Sequence, residues 1–182
     1  MRKIVAGLLL SLDGVVEAPE TWHFPYFNDE MGKIVGDQMA TSDTMLLGRR
    51  TYEEFAEFWP NQGDDVPMAA AINGVRKLVA STTLETVDWQ NSELIAGDVA
   101  DDLRRRKQQT GKDISITGSP TLVRSLLEAG VLDELRLLVH PIVVGHGKRL
   151  FGADAATVPL TLVSAQSLAT GVQYLVYAPA AS

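Results

Sequence analysis

Apolar residues fall along this chain in two rhythms. Near-continuous runs come first: KIVAGLLL (residues 3–10) and TMLL (44–47) have few polar breaks, the pattern of strands buried on both faces. RKLVAS (76–81), SELIAG (92–97) and KDISITG (112–118) predict three more strands. Between them, apolar positions recur every three or four residues. Phe27, Met31, Ile34, Val35 and Met39 form one helical stripe; Tyr52, Phe55, Phe58 and Trp59 form another. Asp98 or Asp101 can cap a helix whose charge run, residues 104–107, reads as a solvated face. A further helix over 119–129 opens with Ser119 as N-cap and Pro120 in its first turn, and stops at Gly130. The tail changes rhythm. LDELRLLVHPIVVG (132–145), VPLTLVSAQSL (158–168) and VQYLVYA (172–178) follow without a helix between them, and Thr170-Gly171 suits a hairpin turn.

Strands alternating with helices, then strands alone, predict an α/β domain with a mostly parallel sheet and antiparallel C-terminal strands. With no linker, repeat or low-complexity block, residues 1–182 are expected to form one domain. In such sheets ligands bind beyond the carboxyl ends of the strands. Three strand ends have the chemistry to hold phosphate. At Gly48-Arg49-Arg50-Thr51, two cations stand at a helix N-terminus, where they oppose the helix dipole unless an anion joins them. The alternative is a pairing of either arginine with Glu53 or Glu54. Ser81, Thr82 and Thr83 end the third strand with hydroxyls, which elsewhere often only satisfy a turn. Thr117-Gly118-Ser119-Pro120-Thr121-Leu122 couples a glycine turn to a strong helix start.

Composition narrows the field. The 182 residues are 46% apolar, enough for a sizeable core, and they include no cysteine, which excludes disulfides and thiolate chemistry. A net charge of −7 argues against general binding to nucleic acid or anionic membranes. No apolar run reaches the ~18 residues of a membrane span. MRKIVAGLLLSLDG reads as a first strand rather than a leader, so a cytoplasmic protein is expected. His23, His140 and His146 lack zinc-ligand spacing, and His140 beside Pro141 reads as core or interface. The apolar stretch 135–144 suggests an exposed hydrophobic edge and hence a homodimer.

SLDG after the first strand, LLGRRTYEEF after the second, VAST after the third, ITGSPTLVRSLLEAGVLDEL and HPIVVGHGKRLF together resemble the dihydrofolate reductase superfamily. The chain looks most like the C-terminal reductase domain of the bifunctional riboflavin-biosynthesis deaminase/reductase. That resemblance implies a dihydrofolate reductase-like three-layer α/β/α fold, NADPH as cofactor, and a homodimer. It implies that Gly48, Arg49, Arg50 and Thr51 face the 2′-phosphate and pyrophosphate, and that Ser81 and Thr82 lie near the adenosine phosphate. Thr117, Gly118, Ser119, Thr121 and Leu122 would cradle pyrophosphate and ribose. Ala6, Leu12, Asp13 and Gly14 would border the nicotinamide. PETWHFPYFNDEM is similar to the tryptophan loop and helix of a pterin pocket, making Trp22 and Phe27 substrate contacts. Asp29 or Glu30 would be the acid, with Glu30 preferred because it shares the stripe of Phe27, Met31 and Ile34. GHGKRLF would form a rim of that pocket. The implied activity is hydride transfer to a small pterin-like or pyrimidine-like heterocycle; a nucleotide-binding protein of the same fold without turnover is the alternative.

Overall fold

The computed structural model describes residues 1–63, 65–66 and 68–180. Its centre is an eight-stranded sheet. In chain order the strands are β1 (Ile4–Ser11), β2 (Ser42–Gly48), β3 (Arg76–Ala80), β4 (Ser92–Leu94), β5 (Asp113–Thr117), β6 (Glu134–His140), β7 (Leu160–Ser167) and β8 (Gln173–Pro179). Across the sheet they run β4-β3-β2-β5-β1-β6-β8-β7. The first six in that order are mutually parallel, and β8 is antiparallel to both its neighbours. The helices are α1 (Asp29–Ala40), α2 (Arg49–Phe58), α3 (Ala69–Gly74), α4 (Val99–Lys107) and α5 (Pro120–Glu128).

Side-chain alternation divides these helices between the two faces. Leu46, Leu78, Ile114 and Ile116 pack with Leu103 of α4 and Val123, Leu126 and Leu127 of α5. Met45, Leu47 and Val79, one residue out of phase, meet Tyr52 of α2 and Ile72 of α3. Met31 of α1 covers Leu138 on the same side as α2 and α3. The result is the expected three-layer α/β/α arrangement. Central strands therefore need apolar residues at both parities, which explains their unbroken runs.

One expectation about the tail changes. β6 is not an edge: β1 and β8 flank it, so residues 135–140 offer no hydrophobic border, and beyond them Val143 is 68% exposed. The edge is β7, where Leu162 and Val163 are 51% and 59% exposed. The hairpin turn is as expected, with Gly171 at φ 86 and the Leu168 N–H donating to Val172 at 2.8 Å.

The least expected core residue is Lys77, with no solvent exposure. Its ammonium donates to the carbonyls of Asn73 (2.9 Å), Val75 (2.8 Å) and Gln90 (3.1 Å), using all three N–H bonds. It also lies 4.1 Å from the centroid of the Trp89 ring. This cation closes the C-terminal end of α3 onto β3. Burial pushes its pKa down from 10.5 to about 8. The folded chain then binds fewer protons than the unfolded chain between those values, so this group's contribution to stability rises with pH across that window. Lys77→Met removes the donor to the carbonyls of Val75 and Gln90, leaves Asn73 only the Asn91 side-chain N–H, and is expected to cost about 1–3 kcal/mol. Urea unfolding of wild type and variant at pH 7, 8.5 and 10 checks both: the difference should widen with pH, and a constant difference would mean that Lys77 does not titrate there.

Candidate functional site

β2 and β5 are adjacent parallel strands, so the chain leaves them at the same end of the sheet. β2 runs directly into α2 through Gly48, and β5 enters α5 through Gly118 and Ser119. The two turns are joined by one hydroxyl. Ser119 Oγ accepts the Gly48 N–H at 2.9 Å and lies 2.8 Å from Thr51 Oγ1. Ser119 does occupy the N-cap position and Pro120 the first turn, but its side chain makes no capping bond. It reaches the neighbouring crossover instead. Gly48, at the N-cap of α2, has no side chain to cap with. Two helix N-termini thus open onto one place without side-chain caps. Their first N–H groups and their dipoles are available to an anion.

That place is a cleft of about 1120 Å³. Gly48, Arg49, Arg50, Thr51, Ser81, Thr82, Thr117, Gly118, Ser119, Thr121 and Leu122 all line it. Arg49 pairs with Glu53 at 3.6 Å, and both side chains are about half exposed, so the pair is loose and contributes ~0–1 kcal/mol. Arg50 forms no salt bridge among the described residues. Ser81 serves its own turn, accepting the N–H groups of Thr83 (3.1 Å) and Leu84 (3.0 Å).

The other named residues lie outside the cleft lining. Ala6 is fully buried, its methyl in the core facing α4 and α5. Leu12 is 66% exposed. Asp13 binds protein: its carboxylate accepts from the Ser11 hydroxyl (2.7 Å), Val144 N–H (3.0 Å) and Gly145 N–H (2.9 Å). Those donors, the Ser11 hydroxyl foremost, hold its pKa well below the usual carboxylate range. Gly14, at φ 86, lets its carbonyl accept the Leu150 N–H at 2.9 Å. SLDG is therefore a clasp on residues 142–150.

The helix that carries Asp29 and Glu30 also turns differently from expectation. Both carboxylates are exposed and neither lines the cleft. Glu30 does not share the inward face with Met31; it accepts the Ala169 N–H at 2.8 Å and the Asn28 side-chain N–H at 2.9 Å. The Ala169 N–H above all lowers its pKa. Phe27 precedes the helix and is 52% exposed. Trp22 is buried, donates Nε1 to the Glu17 carbonyl at 3.1 Å, and sets its ring against His140 at 5.2 Å. His140 belongs to the core. Its Nδ1 faces the carbonyls of Leu138 (2.8 Å) and Leu10 (3.2 Å), and burial lowers its pKa.

Sequence reasoning missed part of the cleft lining. Gly7, Leu8 and Leu9 of β1 supply its floor, and Val16, Glu17, Ala18, Pro19 and Glu20 line it with Lys148. The residues EAPE (17–20), two acids about a proline next to the SLDG clasp, were the available signal. Lys148 belongs to the GHGKRLF rim and does reach the cleft.

The model of the RibD C-terminal domain family matches residues 2–174. YyaP of Bacillus subtilis (strain 168), an uncharacterised protein, is 28% identical over 182 residues, covering 97% of this chain and 94% of its own. Among solved structures, a putative riboflavin biosynthesis protein from Shewanella sp. PV-4 superposes with a TM-score of 0.78 at 18% identity, over 98% of this chain and 99% of that one. Dihydrofolate reductase from Enterococcus faecalis, complexed with NADP(H) and RAB-propyl, gives 0.63 at 16%, over 97% and 96%. At these identities the two structures establish a shared fold.

Gly118 tests the joint between the crossovers. It sits at φ +66, and a Cβ there would come 3.1 Å from Thr51 Oγ1 and 3.2 Å from Thr51 Cγ2. Gly118→Val is expected to cost about 1–3 kcal/mol of folding stability, because strain and crowding act together. Thr51→Ala in the same chain should restore only the crowding part. Thermal unfolding of both variants decides it; a Gly118→Val protein as stable as wild type would show that the turn tolerates a side chain.

Proposed function

The chain belongs to the RibD C-terminal domain family, and from that premise we propose that it is an NADPH-dependent reductase acting on a small pterin-like or pyrimidine-like heterocycle. The observation that supports this reading most is the pair of uncapped helix N-termini, joined through Ser119, that open on one cleft with two arginines beside them. A dinucleotide needs such a set: N–H groups for its pyrophosphate and a separate cation for a 2′-phosphate. The donors here fit that need, since no side chain spends them. When bound, the cofactor supplies the hydride. The protein's part is to orient and to exclude water.

In this reading the first N–H groups of α2 and α5 hold the pyrophosphate. Arg50 holds the 2′-phosphate, with Arg49 released from its loose pair with Glu53. Ser81 and Thr82 border the adenosine. The heterocycle lies toward β1, over the backbone of Gly7 and Leu9, against the wall of residues 16–20 and Lys148. The Enterococcus faecalis enzyme, which shares the fold, is complexed with NADP(H), and that too favours a nicotinamide cofactor here.

Discrimination between NADPH and NADH provides the test. The cofactors differ by one phosphate, and a hydrogen bond to a charged group contributes roughly 1.5–3 kcal/mol, or about 10- to 150-fold in affinity. Arg50→Ala is expected to weaken NADPH by that factor and leave NADH nearly unchanged, with a smaller effect for Arg49→Ala. Part of the difference should fade with salt, because the arginines are exposed. Dissociation constants of both cofactors at two ionic strengths measure this. An unchanged NADPH/NADH ratio in both variants would reduce the arginines to helix-surface charges. NADPH oxidation across pterins and pyrimidinediones then separates a reductase from a protein that only binds the nucleotide.

The assembly we propose is a homodimer joined through β7. An unpaired edge strand with two half-exposed aliphatic residues is a poor surface for an isolated chain. Val163→Lys should yield monomers in sedimentation velocity at micromolar concentration while the wild type sediments as a dimer. A monomeric wild type would end this proposal.

A further inference from the structure

Four buried side-chain polar atoms lack a hydrogen-bond partner among the described residues, and two of them are imidazole nitrogens in one place: His23 Nδ1 and His140 Nε2. The two rings stand 6.1 Å apart, centroid to centroid, and nearly perpendicular. Trp22 and Tyr26 complete the box, 5.2 and 5.8 Å from the His140 ring. His140 Nδ1 faces the carbonyls of Leu138 and Leu10, which only accept, so its proton sits on Nδ1 and its Nε2 is a bare lone pair. The charged form of either ring carries a hydrogen on both nitrogens. Protonation therefore puts into the box both a charge and a donor without an acceptor. No neighbour offsets this. Tyr26 turns its hydroxyl to the Pro141 carbonyl at 3.5 Å, and Ser11, opposite His140 on β1, gives its own to Asp13. The Asp13 carboxylate is held in turn by the N–H groups of Val144 and Gly145. Burial lowers the pKa of both rings from the ordinary 6.5; the neighbouring imidazole lowers His23 further, and Glu20 opposes this only in part.

We propose that His23 and His140 are a pH-sensitive latch on the wall of the cleft: neutral rings hold the turn of residues 18–23 shut, and a proton on either one expels His23 and frees that turn. His23 is the mobile partner because it is half-buried on a turn, whereas His140 is fully buried in β6. The turn is tied directly to the cleft. The His23 N–H donates to the Pro19 carbonyl at 2.8 Å, the Trp22 N–H to the same oxygen at 3.1 Å, and Trp22 Nε1 to the Glu17 carbonyl at 3.1 Å. Glu17, Ala18, Pro19 and Glu20 all line the cleft. Losing the seat of His23 thus loosens one wall while the starts of α2 and α5 stay joined. The open form takes up protons that the closed form resists, so opening grows as pH falls below 6.5, by up to about tenfold per pH unit for each ring. None of this depends on the reductase reading.

Trp22 is the reporter, because its buried ring lies against His140 and meets water when the turn opens. Tryptophan emission and far-ultraviolet circular dichroism of the full chain are followed from pH 7 to 5. The emission maximum is expected to move to the red as pH falls, with the dichroism unchanged. Trp89 does not confuse the signal, since it faces Lys77, whose pKa of about 8 lies above the window. The step should follow up to two protons in the wild type and one in His23→Gln or His140→Asn, the asparagine keeping an N–H for the carbonyls of Leu138 and Leu10. It should be absent from the double variant and from Trp22→Phe. His146→Gln, at an exposed histidine, should keep it. No shift in the wild type overturns the proposal, as does a shift that survives in the double variant or in Trp22→Phe, or one that vanishes in His146→Gln. Dichroism lost in the same step would mean global unfolding and overturns it too. Spectra of the wild type and Trp22→Phe decide the matter even where a histidine variant fails to fold.

Discussion

The hydroxyl of Ser119 is the joint on which the cleft depends. It links crossovers that are 71 residues apart in sequence, satisfying the Gly48 N–H and meeting Thr51. Ser119 reaches them only by adopting φ 57, a left-handed conformation that costs an ordinary residue roughly 1–2 kcal/mol. The same turn withdraws the hydroxyl from its own helix. A serine in the usual N-cap conformation would have blunted the start of α5; this one leaves it open. Gly118, also left-handed, brings the chain to that position and keeps clear of Thr51.

Much of this was legible in the sequence because it follows from period and burial. Strands flanked on both sides, β1, β2 and β3, had to carry apolar residues at both parities, with Lys77 the buried exception. Helices that cover one face had to be apolar every third or fourth residue. The three strand ends met in one cleft because parallel strands deliver their carboxyl ends to the same side. Illegible was anything decided by where a polar side chain spends its hydrogen bonds. Ser119 has the right identity for a cap and is used elsewhere. Asp13 sits beside a glycine turn, where a ligand contact is a reasonable expectation, yet it is consumed by the N–H groups of Val144 and Gly145. Glu30 follows the helical period only loosely, and an N–H of the β7–β8 hairpin captures it. β6 reads as an edge until β8 inserts between it and β7, an order no local pattern encodes.

The clasp at Asp13 matters to the site although it does not touch it. Residues 12–16 and 142–150 are joined by backbone bonds, Leu12 N–H to Ile142, Val16 N–H to Lys148 and Leu150 N–H to Gly14. Asp13 adds Arg149, whose Nε donates to its carbonyl at 2.9 Å. Two loops that would each be mobile alone become one wall. Trp22 seals its outer side against His140, which is why a tryptophan that never reaches the cleft still shapes it. Glu17 and Lys148 emerge from the part of this wall that faces the cleft.

A chain of net charge −7 has little attraction to offer an anionic ligand at long range. Affinity must then come from contacts inside the cleft, and the fold concentrates them at one end. Helix N–H groups supply partial positive charge without a titratable proton, and the two arginines stand beside them. Glu17, Glu20 and Glu54 line the same cleft, so an anion is favoured only where the helix N–H groups and the arginines meet it. The joint at Ser119 fixes the starts of α2 and α5 relative to one another, so an anion held there would be fixed with them, and anything bound beside it would inherit a set orientation.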